Sequence, residues 1–135
     1  MKEAVALLMM AFATDQADLP SLKTAMDWDA LPPLPYQTRP VVTPQMTQYV
    51  AQEMATEHCP MPPRINGQHV ITVKVAVMLS GDGTIRATIP HAINCATVEQ
   101  YTAGLVTGFA RNNLLLPAEA PETWYRTSVV YSWKH

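Results

Sequence analysis

From Ile71 to Leu79 an Ile, Val or Leu side chain recurs at every second position. Ile71, Val73, Val75, Val77 and Leu79 fall on one side, and Thr72, Lys74, Ala76 and Met78 on the other. That period of two is the mark of a strand with one buried face. Asp82-Gly83 then supplies the positive φ a tight turn demands, and Thr84 to Ile89 resumes the alternation with Ile85, Ala87 and Ile89 inward. His69 to Pro90 thus predicts a β-hairpin whose apolar face must be covered. A third strand is predicted over Trp124 to Trp133, where Thr127, Val129, Tyr131 and Trp133 alternate with Arg126, Ser128, Val130 and Ser132.

Two stretches change period. Thr43-Pro44 reads as an N-cap followed by proline at the first helical position, where its missing N–H costs nothing. Met46, Val50 and Met54 form the apolar stripe, and Pro60, Pro62 and Pro63 end the helix near His58. The second helix opens at a capping box, Thr97-x-x-Gln100, and carries Val98, Tyr101, Leu105, Phe109 and Asn112 on one face. Gly104 and Gly108 are expected to allow close approach to a neighbour, and Asn112-Asn113 suits a left-handed stop. The order is α-β-β-α-β. The predicted fold is α+β, a three-stranded antiparallel sheet with two helices on one face.

Composition adds modest limits. The 135 residues, 48% hydrophobic and 15% charged, suffice for one domain with a core. A net charge of −2 gives no footprint for nucleic acid or an anionic membrane surface. Residues 1–60 hold three Lys/Arg against seven Asp/Glu and residues 61–135 hold six against four, an acidic leader before a mildly basic domain. Met1 to Ala13 has a lysine, an apolar run and Ala11-Phe12-Ala13, so residues 1–13 read as a signal peptide, with an amphipathic or buried helix as the alternative. No run reaches the length of a membrane span. Nine of the twelve prolines lie between Pro20 and Pro63, so residues 14–42 read as a proline-rich spacer and residues 43–135 as the domain. Trp28, just ahead of Leu31-Pro-Pro-Leu-Pro35, is expected to pack back on that domain.

Candidate chemistry is sparse. Cys59 ends the first helix and Cys95 precedes the second. With both helices on one face the two could meet as a disulfide; two buried thiols, or a zinc site with His58 and His91, stay open. His58 and Cys59 are consecutive, which makes joint ligation awkward, and His69 and His135 have no evident partner. No third group accompanies a Cys59/His91 nucleophile, Ser80-Gly-Asp-Gly reads as a turn, and Glu119 and Glu122 flank a loop proline. No enzyme activity and no cofactor are expected.

The ordered set of features resembles the C-terminal periplasmic domain of the TolA/TonB superfamily. The resemblance spans residues 43–135 and rests on four pieces: Cys59-Pro60-x-Pro62-Pro63, VKVAVMLSGDGTI, Cys95 before the second helix, and Leu116-Pro117 through Trp124. It implies a periplasmic, noncatalytic protein of the cell envelope, tied to an energy transducer. The implied partners are TolB- or Pal-like proteins, or a phage coat protein or colicin. It also implies a disulfide whose second cysteine is Cys95, although the family's first is commonly on the strand. Family members carry a membrane helix and a long spacer that this sequence does not display, so adaptor, accessory and decoy roles are all open. An exposed sheet edge offers unpaired N–H and C=O groups to an extended segment. The last strand is the expected edge, with Tyr125, Arg126, Ser128, Val130 and Ser132 as candidate binding residues. Pairing of two such edges would give a weak dimer; otherwise the chain is a monomer.

Overall fold

A 12-residue strand runs through the centre of the molecule. The computed structural model of the chain describes residues 26–116 and 121–134, so the expected signal peptide lies outside the described residues. The elements are α1 (Pro44–Thr56), β1 (Arg64–Ile65), β2 (Gln68–Leu79), β3 (Ile85–Pro90), α2 (Ala96–Ala110) and β4 (Thr123–Lys134). β4 pairs antiparallel with β2 along its whole length, from Gln68↔Lys134 to Leu79↔Thr123. β1 and β3 share the other side of β2, pairing with its two ends. The sheet therefore has four strands rather than the expected three, the extra one being two residues long. Asn66 and Gly67 join it to β2 with φ of 53° and 80°, the double positive-φ turn that an Asn-Gly pair favours.

Both helices cover the same face of the sheet, α1 over β4 and α2 over β2 and β3. Val73, Val75, Val77 and Leu79 meet Val50, Met54, Val98 and Val106 in the core, joined by Val129 and Tyr131 of β4. Thr43 caps α1 as expected, its hydroxyl accepting from Met46 N–H at 3.2 Å. His58 at φ 54° carries the chain out of α1 ahead of the prolines.

Three expectations need correction. The hairpin turn is a five-residue loop, Ser80 to Thr84, with a bulge at Met78/Leu79. Gly83 sits at φ 86°, and the Asp82 carboxylate accepts from Ser80 Oγ and from Thr84 N–H at 3.0 Å. Those bonds hold its carboxyl down at about 2. A one-residue bulge swaps faces along the strand beyond it. Ile85 accordingly packs on the core with Leu79, whereas Ala87 and Ile89 pair with Met78 and Ala76 on the opposite face.

The second correction concerns the start of α2. Its N-cap is Cys95 with no side-chain cap, and in place of Thr97 and Gln100 the buried Glu99 reaches back, accepting from the N–H groups of Ile93 at 3.0 Å and Cys95 at 3.2 Å. A carboxylate there also meets the positive end of the helix dipole.

The third is the buried face of α2, which centres on Val98, Thr102, Ala103, Val106 and Ala110. Small side chains let the helix sit close to the sheet, with Tyr101, Leu105 and Phe109 half-buried along its flanks. Gly104 and Gly108 face open space instead, with no atom within 4 Å of an added Cβ. Gly104→Ala and Gly108→Ala should each stabilise the protein by about 0.5–1 kcal/mol through lost unfolded-state entropy. Urea unfolding of each variant checks this, and destabilisation at either site would restore a packing role.

Thr102 donates its one proton to Val98 C=O at 2.8 Å, so the Tyr131 hydroxyl donates to Thr102 Oγ1, also at 2.8 Å. Burial pushes Tyr131 up to about 12 from an ordinary 10.0. The folded-state value is raised, so the stabilisation is complete below pH 10 and is lost as pH rises toward 12, by roughly 2–3 kcal/mol. Denaturant unfolding at pH 9 and pH 11.5 should show that fall, and Tyr131→Phe should flatten it.

Candidate functional site: the outer edge of β4

The stretch expected as a spacer is part of the fold from Trp28 onward. A 3₁₀ turn, Trp28–Ala30, lies on the sheet face opposite the helices. There Trp28, 8% exposed, meets His91 edge to face at 5.1 Å, and Asp29 reaches Lys74 at 3.6 Å. The chain then crosses the outer edge of β4. Arg126 N–H donates to Pro32 C=O and Leu34 N–H donates to Arg126 C=O, both at 2.8 Å, forming a parallel bridge centred on Pro33. Prolines suit this place because Pro33 directs its own backbone groups away from β4 and the edge needs a donor only from Leu34. The Leu34 side chain, 6% exposed, joins the core on the helix side.

A tight turn then lifts this strap off the edge. Tyr36 N–H donates to Leu34 C=O at 2.9 Å, and the chain passes to the segment after α2, with Leu115 N–H on Pro35 C=O and Gln37 N–H on Asn113 C=O. The Asn113 side chain holds Thr38 from both sides, accepting from its N–H at 2.8 Å and donating to its C=O at 2.7 Å.

Beyond Arg126 the edge is open. Backbone groups alternate in direction along a strand, so those of Ser128, Val130 and Ser132 point outward as Arg126's do, while those of Thr127, Val129 and Tyr131 bond β2. Among the described residues nothing pairs with the outward groups of these three. Their side chains lie on the face away from the helices, Val130 being 50% exposed.

Two grooves flank this stretch. One, of about 600 Å³, wraps the edge between strap and strand, with Leu34, Tyr36, Val42, Phe109, Val129 and Val130 in its wall. The other, of about 670 Å³, lies between α1 and the end of β4, against Val42, Ala51, Ala55, Met61 and Trp133.

The five expected binding residues therefore divide. Ser128, Val130 and Ser132 form the open edge, and Arg126 is already engaged by the strap. Tyr125 belongs elsewhere: its backbone pairs with Val77 and its ring packs on the core. Arg39, Val42 and the strap were missed as site components. The three prolines of Leu31 to Pro35 masked a strand-like segment, and the apolar Leu34 set between two of them signalled an anchor.

Cys59 and Cys95 form a disulfide, Cα to Cα 5.3 Å, tying the end of α1 to the start of α2. The bridge occupies both sulfurs that a zinc or thiol site would need. His58, His69 and His91 are dispersed, His69 standing beside Pro62 C=O at 2.9 Å and the Trp133 ring at 5.8 Å. Among the described residues no helix is long and apolar enough to cross a membrane. Comparisons with protein-family models, curated proteins and solved structures return no match.

Proposed function

We propose that the protein is a noncatalytic adaptor of the bacterial cell envelope that binds an extended segment of a partner by strand addition along Ser128 to Ser132 of β4. The observation that carries this reading is the strap. At Arg126 the same edge already accepts an extended segment through two backbone bonds, and two residues further on it is free. A partner strand there would gain main-chain bonds from the open groups and side-chain contacts in the flanking grooves. The resemblance to the TolA-type domain favours a periplasmic setting and a TolB- or Pal-like partner, and the disulfide fits an oxidising compartment.

The test reads the edge amides directly. A library of seven-residue peptides is titrated into the oxidised protein while the amide resonances of Ser128, Val130 and Ser132 are followed. Binders should shift these three together, and Val130→Pro should abolish binding while the circular dichroism spectrum is kept, because that N–H faces away from β2. Peptides that bind but leave the three amides unmoved would end the strand-addition reading. Export is checked separately: protein recovered from a periplasmic extract should resist alkylation until it is reduced.

A further inference from the structure

We propose, resting on that strand-addition reading, that the partner segment is acidic and alternates apolar with carboxylate side chains over about five to seven residues. Its length follows from the edge. Ser128 to Lys134 at about 3.4 Å per residue is a track of roughly 20 Å.

The alternation follows from the two faces of that track. A strand laid along β4 sends every second side chain toward the helices, into walls made by Val42, Phe109 and Val129 in one groove and Ala51, Met61 and Trp133 in the other. The intervening side chains lie on the opposite face or at the rim, where they meet charge.

That charge is predominantly positive. Arg39, Arg126, Lys74 and Asp29 line the first groove, and Lys134 lines the second with no acid beside it. Asp29 is spent on Lys74 at 3.6 Å. Arg126 gives only its Nε–H to Leu31 C=O, at 2.8 Å, and neither Arg39 nor Lys134 has a partner among the described residues. Three cations thus stand around an open edge on a chain whose net charge is −2. This local inversion selects against basic segments and against another copy of the chain. Two β4 edges paired antiparallel about Val130 would bring Lys134 of each copy up to the strap-bonded Arg126 of the other, and like charges brought together are unfavourable.

The experiment uses two synthetic seven-residue peptides, one alternating valine with glutamate and one alternating valine with lysine. Each is titrated into the intact oxidised protein at low salt and at 0.5 M NaCl, with the Ser128, Val130 and Ser132 amides as the readout. The glutamate peptide should bind on the order of tenfold more tightly at low salt, since several exposed charge pairs each add a small factor. Salt should erase most of that preference. The double variant Arg39→Glu/Lys134→Glu, changed only at exposed side chains, should reverse it. Equal binding of both peptides at the three amides would overturn the charge selection while leaving strand addition standing. If neither peptide moves those amides, both readings are overturned. Concentration-dependent dimerisation through the same amides without peptide would show a second copy to be the occupant.

Discussion

Replacing both cysteines, Cys59→Ser with Cys95→Ser, should lower the unfolding free energy by about 3–4 kcal/mol. The bridge spans a sequence separation of 36, and that segment contains β1, β2 and β3. Without the cross-link the unfolded chain regains the freedom of the whole loop, whereas the native positions are held on one side by α1 and on the other by α2. Cys95 is also nearly sealed in the core, and its N–H is one of the two held by Glu99. The variant should keep its fold, because the sheet ladder does not depend on the bridge, but unfold at a markedly lower guanidinium concentration. A change below about 1 kcal/mol would mean that the loop was already confined in the unfolded state.

Leu34→Ala should cost about 2–4 kcal/mol, a large penalty for a residue in a stretch that reads as a spacer. Its side chain is buried in the main core, while its N–H holds the Arg126 carbonyl. Truncation removes the anchor that keeps the strap on the edge. Amide exchange should therefore accelerate at Arg126, Gln37 and Leu115, whose N–H groups all bond across the strap. Val41→Ala is the matched control; that side chain is 73% exposed and its loss should change stability by less than about 0.5 kcal/mol. Equal effects of the two substitutions would return the strap to the status of a linker. Peptides that bind at Ser128 to Ser132 should also gain one further pairing position in the Leu34 variant, at Arg126.

Where sequence reasoning went astray, neighbours in space had overridden neighbours in sequence. Ala87 and Ile89 have the right period for the core, but the bulge at Met78/Leu79 turns them to the face where Trp28 sits. Tyr101 and Phe109 look like the centre of a helix face because they are large. Thr102 holds that place because its hydroxyl has partners in Val98 C=O and the Tyr131 hydroxyl, which no inspection of one helix reveals. Asn66-Gly67 was a legible signal for β1 that the surrounding prolines obscured.

By itself the sequence determined the local elements. The alternation in β2 and β4, the Thr43-Pro44 start of α1, the proline stop after His58 and the left-handed Asn112 all arise from interactions within a few residues, and each stands where its residues place it. Only the tertiary structure decided how much of the β4 edge is left open. The Leu31 carbonyl meets Arg126 across a separation of 95 residues, and Cys59 meets Cys95 between two helices. Such pairings depend on which faces and edges other segments have already covered. A linear pattern records what a segment can bury, and the folded chain settles what is left to bury it against.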